Sequence, residues 1–251
     1  MSIVRAEDIS IIEKELEKLD SNDLAIFDCD DVLTTIRSGV FKPNNRDFLK
    51  QWIRSSGIST AEIYDKFRII LKSESGTVVN PKMIDAINRL KDKNVRHMVL
   101  TSFSVQPMTD EPNPVAWRVE TLKNFGYDFS KFWNEQRVEL SEFMREHNPV
   151  FQNGILCCDI FPKSECLEKF FEYIDWQPKK IVFVDDMLRN LADVEDFCKR
   201  QKIEYVGIEY LESQQVNSYI PFSESIAELQ LNTLKEKSLW LSDEQAEDEI
   251  R

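Results

Sequence analysis

Apolar and polar positions fall along the chain in blocks that predict two kinds of element. Leu24-Ala25-Ile26-Phe27 is a continuous apolar run that stops on acidic residues, the pattern of a parallel strand buried on both faces. Val95–Leu100 and Ile181-Val182-Phe183-Val184 repeat it, and Ile203–Ile208 supplies a fourth run. Helical spacings lie between them. Residues 8–19 carry Ile11, Ile12, Leu16 and Leu19 on one face, behind Ser10 and Glu13 at the spacing of a capping box. A helix entered through Asn80-Pro81 turns Ile84, Ile87 and Leu90 inward, and another groups Leu191, Val194, Phe197 and Cys198. Strands alternating with helices predict an α/β architecture, a doubly wound parallel sheet with crossover connections.

Three stretches stand outside this alternation. Residues 36–75 are expected to form a small helical cap insert. Its two helices carry Phe48, Leu49, Trp52 and Ile53, then Ile63, Phe67, Ile70 and Leu71 behind a Ser59/Glu62 cap. Residues 103–160 read as a second insert, with a helix near 115–125 and a hairpin turned by Asn153-Gly154. Trp117 and Arg118 on that helix are read as packing residues, with substrate contact as the alternative. From 222 to 251 a closing helix is expected, marked by Ile226, Leu229, Leu234 and Trp240, followed by an acidic, frayed tail.

Composition narrows the partners. The 251 residues carry 32 Lys and Arg against 45 Asp and Glu, a net charge of -13, with 42% apolar positions. This is the composition of a globular chain of one domain. The negative charge argues against nucleic acid or an anionic membrane surface as partner, and no apolar run is long enough for a transmembrane helix. The charged first twenty residues do not read as a cleavable secretory signal. The cytoplasm is therefore the default location, and export guided by the acidic C-terminus is the alternative. Five cysteines without paired spacing and only two histidines give a nitrogen- or sulfur-ligated metal little to bind. His97, inside a strand run, is expected to pack, as is Cys29.

The chemistry concentrates where strands end. Asp28, Asp30 and Asp31 follow the first run, and Asp185-Asp186 follow the third. In open α/β sheets this edge is where ligands bind. Like charges gathered there repel by about 4 kcal/mol per pair at 4 Å and an effective dielectric near 20, so a cation, a positive side chain or a shared proton has to relieve them. Convergent carboxylates suit a hard divalent cation, and Mg²⁺ is the usual choice beside phosphate. Thr101-Ser102 end the second run, and Lys163 opens a helix before the third. Acids, a hydroxyl and a lysine make a set for phosphoryl transfer. Asn190, in the turn after the acid pair, is a candidate to hold its geometry.

In order, this set resembles the haloacid-dehalogenase-like (HAD) superfamily at its four motifs. Asp28, Asp30 and Val32 match the first, Met98–Thr101 the second, Lys163 the third and Asp185-Asp186 the fourth. The likeness spans roughly residues 22–210. FQNGIL at 151–156, VDDMLRNL at 184–191 and WLSDEQA at 240–246 look most like an uncharacterised bacterial branch of that superfamily. The resemblance implies a Rossmann-like HAD core with Asp28 as nucleophile and Asp30 as general acid and base. It also implies Mg²⁺ held by Asp28, the Asp30 carbonyl, Asp185 and Asp186, with the phosphoryl group held by Thr101 and Lys163. Asp31 departs from the pattern, because such phosphatases often carry glycine there. The expected activity is a Mg²⁺-dependent phosphatase acting on a phosphomonoester. A non-enzymatic binding or effector protein of the same fold, or a phosphotransferase of the same mechanism, remains the alternative.

Overall fold

The computed structural model describes residues 3–74, 76–107, 111–143, 147–216 and 221–251. The chain divides into two compact units, one of residues 1–33 and 78–213, the other of 34–77 and 214–251.

The first unit is built on a mostly parallel sheet. Its strands are β1 (Ile3–Ala6), β2 (Leu24–Phe27), β5 (Arg96–Thr101), β6 (Arg137–Glu139), β7 (Val150–Gln152), β8 (Ile155–Cys157), β9 (Lys180–Asp185) and β10 (Glu204–Tyr210). Short strands β3 (Thr34–Thr35) and β4 (Thr77–Val78) form a separate two-stranded sheet. The spatial order is β1-β10-β9-β2-β5-β8-β7-β6. Every neighbouring pair from β1 to β8 runs parallel, and β7 runs antiparallel to both β8 and β6. This α/β order is consistent with a Rossmann-like fold. β2 lies between β5 and β9, so the chain winds away from it in both directions, which makes its C-terminal end a switch point.

Strand alternation sorts the core. Leu24 and Ile26 of β2, Met98 and Leu100 of β5, and Ile181 and Phe183 of β9 share one buried cluster. Helices α6 (Lys163–Ile174) and α7 (Leu188–Gln201) pack into it through Leu167, Phe170, Leu191, Val194 and Phe197. The intervening residues face the other way, where Phe27 and His97 meet Phe129 with ring centroids 6.1 and 5.7 Å away. The expected packing role of His97 is what the fold shows, and all five cysteines are buried thiols. β7 and β8 form a hairpin whose turn, Asn153 and Gly154, has φ of 47° and 86°, the double positive φ of a type I′ turn.

The helices α1 (Ser10–Glu17), α4 (Lys82–Asp92) and α5 (Pro114–Asn124) complete this unit. Two sequence expectations change here. Ser10 does not cap α1: its backbone N–H donates to Asp8 Oδ1 at 2.7 Å, and the cap position is Ile9. On α4, Met83 and Ala86 join Ile87 and Leu90 as the buried residues, and Ile84 is only half-buried.

In the second unit, α2 (Arg46–Ser56), α3 (Thr60–Ser73) and α8 (Glu224–Lys237) gather round Ile36, Val40, Ile70, Leu231 and Trp240, and α9 (Asp243–Ile250) packs on α8. Trp52 and Phe67 pack on the same cluster, and Ser59 with Glu62 forms the expected capping box on α3; the Ile63 side chain lies outside the described residues. The acidic tail is not frayed. It folds as α9 behind a Ser242/Gln245 capping box, and Asp243 accepts bonds from the Gly39 N–H (3.0 Å) and Gln230 Nε2 (2.9 Å). Among the described residues no helix is long and apolar enough to cross a membrane.

Candidate active site at the ends of β2, β5 and β9

The register of the sheet assembles the acids. Phe27 pairs with Val184 and with Val99, which sets Asp28 level with Asp185. Both acids continue the alternation of the residues that face α6, and α6 begins with Lys163. The Lys163 Nζ lies 2.9 Å from Asp28 Oδ1 and 2.7 Å from Asp185 Oδ2, with all three side chains buried. The first turn of α6 is fixed in turn by α7: the Ser164 N–H and Oγ donate to Asp193 at 2.9 and 2.7 Å.

Asp185 is held tightly. Its Oδ1 accepts the Met187 N–H at 2.8 Å, and Asn190 Nδ2 donates to both oxygens at 3.1 Å. Asn190 thus does what its place in the turn suggested. Asp28 accepts the N–H of Cys29 at 2.8 Å and donates its own N–H to Val184 at 2.8 Å. Burial pushes the Asp28 carboxyl up to about 7; Lys163 pulls the other way, and Asp185 and Asp30 push it up again. Burial also opposes the Lys163 charge, but Asp28 and Asp185 outweigh it and hold the ammonium protonated. Asp28, Asp185 and Asp186 offer oxygen atoms that all lie within 4.8 Å of one another. Such an all-oxygen group fits a hard divalent cation.

The carboxylate of Asp30 is not in that group. It pairs with Arg118 Nη2 from α5, a partner 88 positions away that sequence reading missed. A local signal was present: Arg118 occupies the buried face of α5 with Val115, Val119 and Leu122, where a charge is out of place. Trp117 packs as expected, stacked on Phe103 at 5.9 Å. Thr101 is buried at the end of β5, two positions past the pairing of Val99 with Phe27, whereas Ser102 is exposed. Asp31 has a φ of 62°. The turn after β2 therefore needs the left-handed backbone that glycine adopts freely and aspartate tolerates, so the departure at this position keeps the turn.

A family profile described as a protein of unknown function (DUF2608) matches residues 5–247. The chain is 24% identical to uncharacterized protein RP296 of Rickettsia prowazekii (strain Madrid E), over 94% of this chain and 85% of that protein. It is 32% identical over 88 residues to a candidate outer membrane protein of Chlamydia pneumoniae, which covers 35% of this chain and 33% of that protein. No solved structure matches.

Proposed function

This chain belongs to the DUF2608 family, and we propose that it is a HAD-like, Mg²⁺-dependent phosphatase that hydrolyses a phosphomonoester through an aspartyl-phosphate on Asp28. The observation that carries the reading is the buried bridge of Lys163 between Asp28 and Asp185, with Asp186 alongside. Asp28, Asp185 and Asp186 crowd carboxyl oxygens within 4.8 Å of one another, a repulsion that one divalent ion would relieve. Asp28, Asp185 and Asp186 would hold that ion, which when bound supplies charge neutralisation for the incoming phosphoryl group.

The chain's own residues do the rest. A carboxylate oxygen of Asp28 attacks phosphorus, the bond to the leaving oxygen breaks, and Asp30 gives that oxygen a proton. Water then attacks the same phosphorus and passes a proton to Asp30, and the electron pair of the breaking bond returns to Asp28. Lys163 neutralises the acids and holds a phosphoryl oxygen, as an ammonium does well. Thr101 supplies a hydroxyl at the same sheet edge. Assay of an aryl phosphate and a panel of alkyl phosphates, with and without Mg²⁺, tests the reading. Metal-dependent release of phosphate is expected. Absence of turnover on every ester, together with no phosphate on Asp28, would sink it.

A further inference from the structure

One buried charge has no task in that chemistry. Arg118 is 1% exposed, yet only one arm of its guanidinium is matched: Nη2 pairs with Asp30, and Nε has no partner. The group lies 4.8 Å from the centroid of the Phe103 ring, a cation–π contact. Burial opposes its charge, and Asp30 is the main group that keeps it protonated. A half-satisfied buried arginine generally costs stability relative to an apolar side chain of similar size. Packing alone therefore does not account for it.

Asp30 is the other half of the relationship. Its side chain is 32% exposed, and the pairing uses Oδ1. A carboxylate gripped at one oxygen by a planar, rigidly packed donor has its other oxygen fixed in direction. We propose that Arg118 is a positioning residue, which fixes Asp30 so that its second oxygen meets the proton it must move.

The assignment rests on the phosphatase reading and concerns its second half most directly. There the water oxygen bonds to phosphorus, the phosphorus–oxygen bond to Asp28 breaks with its electron pair returning to Asp28, and the water proton passes to Asp30. The products are inorganic phosphate and the free carboxylate. With an aryl phosphate the leaving group needs no proton, so this is the step in which a displaced Asp30 is felt.

The test is a double-mutant cycle on the full chain with an aryl phosphate and Mg²⁺. Arg118→Met, Arg118→Lys and Asp30→Asn are each made alone, and Arg118→Met is also combined with Asp30→Asn. Arg118→Met should lower turnover roughly 10- to 100-fold, the scale of a misplaced catalytic group, with phosphate accumulating on Asp28. Arg118→Lys should recover part of the loss. In the Asp30→Asn background Arg118→Met should change turnover less than about twofold, because nothing remains to position. An equal loss in both backgrounds, or no loss in either, overturns the positioning role while leaving the phosphatase reading intact. A wild-type chain that neither turns over nor takes phosphate on Asp28 overturns that reading and the role with it. Should Arg118→Met alone not fold, Arg118→Lys and the double variant, which buries no unmatched charge, carry the comparison, with circular dichroism as the check on folding.

Discussion

Lys163 and Asp185 meet at 2.7 Å with almost no solvent at either side chain. The same ammonium reaches Asp28 at 2.9 Å, so one positive group ties the first residue of α6 to the ends of two strands. Removing one partner of a buried ion pair costs about 3–5 kcal/mol, because the other charge is left without compensation. Lys163→Met leaves two carboxylates facing each other. Urea unfolding should show a loss of that size, and a loss below about 1 kcal/mol would mean that the bridge is not buried in solution.

A divalent ion should relieve the same repulsion. A ligand bound only by the folded chain stabilises it by about 2.7 kcal/mol at a hundredfold excess over its dissociation constant. For a chain of this size that corresponds to a rise in melting temperature of roughly 5–11 °C. Mg²⁺ is expected to produce such a rise, and Asp186→Asn to blunt it. The absence of any shift at millimolar Mg²⁺ and low salt would count against a metal site at these acids.

His97 makes stability depend on pH. Its Nδ1 donates to the Val95 carbonyl at 2.9 Å, and its Nε2 is buried without a partner. Burial lowers its pKa from 6.5 to about 4. Below pH 6.5 the unfolded chain takes up a proton that the folded chain refuses until near pH 4. The contribution is therefore fully present above 6.5 and is lost as pH falls through that window. At about 1.4 kcal/mol per unit the loss is a few kcal/mol. His97→Phe should remove this share of the slope between pH 6.5 and 4, leaving the opposite contribution of the raised Asp28 carboxyl in place. An unchanged profile would show that this ring does not titrate as its burial requires.

Much of this arrangement was legible because strands buried on both faces leave unbroken apolar runs. β2, β5 and β9 are such strands, and the acids that follow β2 and end β9, with the hydroxyl that ends β5, followed directly. The edge strands left no such mark. Ile3–Ala6 and Arg137–Glu139 are short and half-exposed, so only pairing with β10 and β7 makes them strands. The acidic tail looked frayed because Asp243 is held from outside its own helix, by Gln230 of α8 and by Gly39, which is 204 positions away. Ser10 and Glu13 had the spacing of a cap, but Asp8 reached the free N–H first. The pairing of Asp30 with Arg118 was hidden for the same reason as the tail, since no local pattern says which charge a buried arginine will meet.

Gly154 allows the hairpin turn and something more. A Cβ built on it would lie 2.2 Å from the Phe129 carbonyl oxygen, and its φ is 86°. A side chain there meets both the left-handed backbone penalty and a backbone clash. Gly154→Ala should destabilise by at least about 2 kcal/mol. A variant as stable as the parent would mean that the turn has another conformation.

The two aspartates after β2 should separate in kinetics. Asp28 must attack phosphorus, so Asp28→Asn removes the nucleophile and should abolish turnover with no phosphoenzyme. Asp30 moves protons, and general acid–base help of that kind contributes typically 10²- to 10⁴-fold. With a nitrophenyl ester the first step needs no acid, whereas hydrolysis of the aspartyl-phosphate still needs the base. Asp30→Asn should therefore accumulate a hydroxylamine-sensitive phosphate on Asp28, read as an intact-mass gain of one phosphoryl group. On an alkyl ester, whose leaving group needs the proton, the same variant should be slow before any phosphate is transferred. Wild-type activity in Asp28→Asn, or a label that maps to another residue, would show that a different group attacks phosphorus.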